Sequence, residues 1–219
     1  MHFQDRSDAG RRLAAELASF ANQPGLRILA LPRGGVPVAF EIARALHASL
    51  DVWVVRKLGV PGIPELALGA IAPGGIEIIS TDIARRMRIP PHQIEAIAAR
   101  ERLELERREQ AYRGSRPPID VGGETVILVD DGLATGATMR AAIAALRRLE
   151  PARIIVAVPV AAASVAAQIA READQIVCLW SPVDLDSVGQ WYGDFSQTSD
   201  AEVSELLNRS SQMAAPGSA

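Results

Sequence analysis

The run Val126-Ile127-Leu128-Val129 is wholly apolar and ends in two adjacent acids, Asp130 and Asp131. Carboxylates at the end of a buried strand are poor core material, because desolvating them without partners is costly. In an open parallel sheet, the crevice beyond the strand ends is where ligands bind. The residues that follow, Gly132, Leu133, Ala134, Thr135, Gly136, Ala137 and Thr138, are mostly small or hydroxylated and open a capped helix. They offer backbone N–H groups, two hydroxyls and the positive end of a helix dipole, which together make a phosphate cradle. The chemistry that fits is a ribose 5-phosphate, with its diol on Asp130 and Asp131 and its phosphate on the loop.

Two further segments carry cations. Leu31-Pro32-Arg33-Gly34-Gly35-Val36-Pro37 leaves an apolar run and enters a helix, so Arg33 and the N–H groups of Gly34 and Gly35 can meet an anion. In Val54-Val55-Arg56-Lys57-Leu58-Gly59, Arg56 and Lys57 follow a second strand.

These segments need a frame. Helices are predicted over residues 7–20, 38–47, 137–149 and 161–171, and strands over 26–31, 51–55, 124–130, 153–160 and 175–179. Such alternation predicts an α/β fold, an open and mainly parallel sheet flanked by crossover helices. Residues 1–207 are expected to form one domain, with residues 59–123 as an insertion. Within the insertion, 66–72 and 75–79 read as a hairpin around Pro73-Gly74, and 91–113 as a long helix. Its pairs Glu104/Arg108 and Glu109/Arg113 have i,i+4 spacing, so it reads as a surface helix stabilised by its own ion pairs. Residues 180–207 hold Trp180, Trp191, Tyr192 and Phe195, read as a hood, and 208–219 as a disordered tail. The N-terminal Phe3-Gln4-Asp5-Arg6 could close over a site.

The 219 residues are 48% hydrophobic and 22% charged, with a net charge of −3. Composition therefore fits a globular domain and argues against a broad nucleic-acid surface. There is no apolar run long enough for a membrane span, so a soluble cytoplasmic protein is expected. The single Cys178 excludes an internal disulfide, and His2, His47 and His92 lack ligand spacing.

Val129-Asp130-Asp131-Gly132-Leu133-Ala134-Thr135-Gly136-Ala137-Thr138 resembles the 5-phosphoribosyl pyrophosphate (PRPP) motif of type I phosphoribosyltransferases. The resemblance covers about residues 26–179 and implies that family's Rossmann-like fold. It implies that Asp130 and Asp131 hold the ribose, that Leu133 to Thr138 hold the 5′-phosphate, and that Arg33, Gly34, Gly35, Arg56 and Lys57 meet pyrophosphate. Arg33, Lys57, Asp130 and Asp131 are then the catalytic group. The cofactor is Mg²⁺, carried by PRPP and reached by Asp130 and Asp131. The hairpin stands where the family has a mobile catalytic loop. A nitrogenous acceptor such as a nucleobase would lie under the hood, against Trp180, Trp191 and Tyr192. Enzymes for 6-oxopurines commonly carry an acid where this sequence has Ala134, and adenine-type enzymes are similar to it in having alanine. A homodimer is the expected assembly, and a non-catalytic PRPP- or nucleotide-binding regulator is the alternative function.

Overall fold

The computed structural model describes residues 2–214. Its centre is a five-stranded parallel sheet in the order β2-β1-β6-β7-β8, built from β1 (Leu26–Ala30), β2 (Ser49–Val52), β6 (Thr125–Val129), β7 (Arg153–Val160) and β8 (Gln175–Trp180). The expected α/β architecture is therefore present. β6 is the middle strand and is buried along its whole length, which is why residues 125–129 are apolar on both faces apart from Thr125.

Alternate residues of the central strands feed two cores. Ile28, Ala30, Ile127, Val129, Ile155 and Ala157 pack on one side with α1 (Arg6–Glu16), α2 (Gly35–Leu46) and α7 (Asp200–Ala214). Leu29, Val126, Leu128, Ile154, Val156 and Val158 pack on the other with α5 (Ala137–Leu146) and α6 (Ala163–Glu172). The period-2 alternation thus sorts side chains between two helical layers.

The insertion is larger than the sequence reading of a hairpin. It forms a three-stranded antiparallel sheet, β3 (Arg56–Val60), β4 (Ile63–Ala72) and β5 (Ile76–Ile79), followed by α3 (Thr81–Arg86) and α4 (Pro91–Arg113). Arg56 and Lys57 therefore open a strand of their own, paired with Ile71 and Ala70.

α4 is also more than a self-paired surface helix. Glu104 does pair with Arg107 and Arg108, which hold its carboxyl down at about pKa 2. However, Arg102 reaches Glu77 on β5, and the buried Arg113 binds Asp51 on β2 at 3.1 Å. Ala98, Leu105 and Tyr112 are buried against the rest of the chain. Cross-element pairs and an apolar stripe fasten the helix down.

The expected disorder after residue 207 is corrected over residues 208–214, which complete α7. Ser199 Oγ accepts from Glu202 N at 3.1 Å at the helix start, and Val203, Leu207 and Ser210 are buried along one side. Residues 215–219, the rest of the expected tail, lie outside the described residues. No described helix is long and apolar enough to cross a membrane.

Candidate functional site

The strand order places a topological switch point between β1 and β6. From β1 the chain adds β2 on one side, and from β6 it adds β7 and β8 on the other. The loops leaving the carboxyl ends of β1 and β6 flank the crevice that such a reversal opens. Ala30 pairs with Val129, and Leu31 N donates to Val129 O at 2.8 Å. The β1 loop, with a cis peptide between Pro32 and Arg33, is thereby pressed against the acid pair.

Contact between the loops is close enough to require glycine. A methyl group on Gly34 would overlap the Asp131 carboxylate, and one on Gly35 would sit 2.7 Å from Val129 O. Arg33-Gly34-Gly35 and Asp130-Asp131 therefore form one unit.

Asp130 and Asp131 are both partly buried. Burial, reinforced by the neighbouring Asp131 charge, pushes the Asp130 carboxyl well above its usual range. Burial also raises Asp131, opposed by the guanidinium of Arg6. Arg6 Nε donates to Asp131 Oδ2 at 2.8 Å, and Arg6 also donates to the Ser196 carbonyl at 2.8 Å and lies 4.0 Å from the Phe195 ring centroid. The phenol of Tyr192 donates to the Asp131 carbonyl at 2.6 Å.

The loop from Leu133 to Thr138 is held at its base and open at its tip. Leu133 is buried, its N–H donates to Val160 O at 2.9 Å, and its C=O accepts from Ala162 N at 3.1 Å. It anchors the loop on β7, which corrects its expected place among the phosphate-contacting residues. Ala134, Thr135 and Thr138 are exposed, and Ala137 is half-buried. Gly136 adopts φ 68° and packs where a Cβ would meet Val165 at 2.5 Å. The capped helix expected here is not found, since no side chain caps α5, and Thr135 Oγ1 reaches Ala137 N only at 3.5 Å. An uncapped helix start leaves N–H donors that an anion can satisfy.

The cations are dispersed. Arg33, one third exposed, lies 3.6 Å from Asp200 Oδ1 at the start of α7. Asp200 also accepts from the Tyr112 hydroxyl of α4 at 2.8 Å, and burial together with this bond raises the Tyr112 phenol to about 12. Arg56 Nε donates to Glu101 Oε2 of α4 at 2.9 Å. Arg56 and Lys57 line a cleft of about 530 Å³ between β3, the β3–β4 turn and α4, together with Arg100 and Glu101. Arg33, Gly34 and Gly35 thus join the acid pair, whereas Arg56 and Lys57 face a separate opening.

Of the expected acceptor aromatics, Trp180 is 40% exposed, with Trp191 stacked at 6.5 Å. Tyr192 is instead buried, its ring centroid 5.3 Å from that of Phe3, and it offers no open stacking face. The partners that sequence reasoning missed are Arg6, Glu101, Tyr112 and Asp200. Only the first had any signal, as a cation in an N-terminal segment able to close over a site.

Residues 3–184 match the family model described as "Phosphoribosyl transferase domain". A Mycobacterium tuberculosis protein provisionally named phosphoribosyl transferase is 44% identical over 207 residues, 94% of this chain and 46% of that protein. The chain thus spans about half the length of that relative. The "Bifunctional protein PyrR" of Chloroflexus aurantiacus is 40% identical over 129 residues, 58% of this chain and 65% of that protein. The crystal structure of the protein TT1426 from Thermus thermophilus is 41% identical, covers 95% of this chain and 99% of that one, and superposes with a TM-score of 0.85. A family model spanning most of the chain thus joins the two loops that meet at the switch point, and the chain belongs to the phosphoribosyl transferase domain family.

Proposed function

We propose that the chain transfers the 5-phosphoribosyl group of PRPP to a nitrogenous acceptor, such as a nucleobase, with release of pyrophosphate. The observation that carries this reading is the contact of Gly34 with Asp131. It joins an arginine loop to an acid pair that leads into the open start of α5. One crevice thereby gathers the three recognition chemistries PRPP requires: carboxylate for a diol, N–H donors for a phosphate, and guanidinium for pyrophosphate.

In this reading, departure of pyrophosphate from C1 leaves an oxocarbenium-like sugar, and the acceptor nitrogen attacks from the opposite face. The protein positions the reactants and compensates charge on the leaving group, with Arg33 carried on the loop whose Gly34 packs against Asp131. Asp130 and Asp131 offer the hard oxygen donors that Mg²⁺ prefers, which fits a metal that arrives on PRPP. Among the described residues no group of three acids, histidines or cysteines could hold a metal by itself. Bound Mg²⁺ would supply charge compensation on the pyrophosphate. Ala134 leaves no carboxylate beside Thr135 for a purine N7, which argues against a 6-oxopurine acceptor.

The test is pyrophosphate release from PRPP and Mg²⁺ across a panel of bases and amines. Release with one class of acceptor is expected. Binding of PRPP without turnover on any acceptor would favour a regulatory binder instead. One observation supports that second reading, since Arg33 and Arg56 each already face a protein carboxylate, Asp200 and Glu101. The name PyrR also belongs to a bifunctional relative.

A further inference from the structure

We infer that Arg6 and Tyr192 are positioning residues for Asp131, gripping its side chain and its backbone so that one carboxylate oxygen, Oδ1, is presented to the ribose. The inference rests on the PRPP reading above.

Arg6 begins α1 and Tyr192 sits in the hood, so the grip comes from two elements outside the β6 motif. Tyr192 also lies beyond residues 3–184 that match the family model. The Arg6–Asp131 pair is formed at 2.8 Å with side chains only 11% and 15% exposed. A pair so shielded is held by geometry and not by weak surface attraction. The guanidinium is fixed on the rest of its periphery by the Ser196 carbonyl and the Phe195 ring. Phe3 ties the N-terminal segment 3–6 to the hood, since its N–H donates to Trp191 O at 2.8 Å and its ring packs on Tyr192.

The two oxygens of Asp131 are not equivalent. Oδ2 accepts from Arg6 and is the atom nearest the space above Gly34, where a Cβ would overlap it. Oδ1 lies farther from that space, at 3.1 Å, and does not bond Arg6, so Oδ1 is assigned to a ligand hydroxyl. A ribose hydroxyl is neutral, so it does not compete with Arg6 for the carboxylate. A preset carboxylate avoids the cost of ordering that group at binding.

Titration of PRPP with Mg²⁺ into the full chain tests this, with Arg6→Ala, Arg6→Lys and Tyr192→Phe compared with the wild type. Arg6→Ala is expected to weaken PRPP about tenfold or more, and millimolar guanidinium ion to restore part of the loss. Arg6→Lys should bind between Arg6→Ala and the wild type, and Tyr192→Phe should weaken PRPP less than Arg6→Ala. Affinity for inorganic pyrophosphate should not change in any of the three. If Arg6→Ala fails to fold, the ranking of Arg6→Lys and Tyr192→Phe below the wild type carries the test. PRPP binding that is unchanged or tighter in the arginine variants would overturn the inference and make Arg6 a competitor of the sugar. So would a folded Arg6→Ala variant that guanidinium does not restore, or pyrophosphate affinity that falls in parallel. A wild-type chain that binds no PRPP would overturn the parent reading instead.

Discussion

The acid pair and the cations are built differently. On the β6 side, acid pair, loop and helix start follow one another in ten residues, Val129 to Thr138, and the strand before them is rigid because it is buried throughout. On the cation side, Arg33 stands on the loop beside the acid pair and Arg56 in the separate cleft with Lys57, and they meet Asp200 and Glu101, drawn from α7 and from the insertion. The first side is a local construction that needs only a strand and a helix in sequence. The second is a set of long-range pairings that need the whole fold.

The contact that joins the two sides is where the largest effect is expected. Gly34→Ala drives a methyl group into the Asp131 carboxylate. It should abolish measurable PRPP binding and cost about 1–3 kcal/mol through overpacking. Calorimetric melting should show the Tm falling by about 2–4 °C for each kcal/mol lost. Binding that survives Gly34→Ala would mean the two loops act separately.

A smaller effect, of opposite sign on stability, is expected on the β6 side. Asp130 is raised above 3.8 by burial beside Asp131. The folded state therefore holds a proton that the unfolded state releases first, and wild-type stability falls as pH rises from 3.8 through the raised value. Asp130→Asn removes this loss. Its Tm at pH 7 should exceed that of the wild type, and its pH–stability curve should be flatter, while PRPP binding weakens. A variant no more stable than the wild type would show that Asp130 carries no burial cost.

The smallest effect lies on the cation side. Glu101→Gln keeps the shape of the pair with Arg56 and removes a negative charge from the cleft holding Lys57. Affinity for inorganic pyrophosphate should rise about threefold, the scale of a partly exposed charge pair, and more at low ionic strength. Weaker binding would make Glu101 a support of Arg56 and not a rival of the ligand.

The same contrast explains what could be read from the sequence. The parallel strands were legible because apolar runs alternate with helical periods, and β7 and α4 have the predicted bounds. The acid pair and its loop were legible because the chemistry is contiguous. Arg6 was not assigned to Asp131 because 125 residues separate them. Glu101 and Tyr112 were hidden inside a helix whose local charge pattern already accounted for its stability. β3 was missed because Arg56 and Lys57 open it with charge and Gly59 interrupts it. α7 was missed because its apolar signal is thin, although Val203, Leu206 and Leu207 at i, i+3 and i+4 behind Ser199 carry the pattern of a capped amphipathic helix. The uncapped start of α5 was not legible either, since Thr135 has the right chemistry for a cap and only its geometry excludes it.

The central claim, that the β6 acids hold the sugar while other groups hold its pyrophosphate, is tested most directly by titrating both ligands into the wild type and Asp131→Asn. Asparagine can still accept from Arg6, so the fold should persist. The account predicts that PRPP with Mg²⁺ binds about tenfold or more weakly to Asp131→Asn, with the affinity for inorganic pyrophosphate unchanged. Equal PRPP affinity in the two proteins would contradict it.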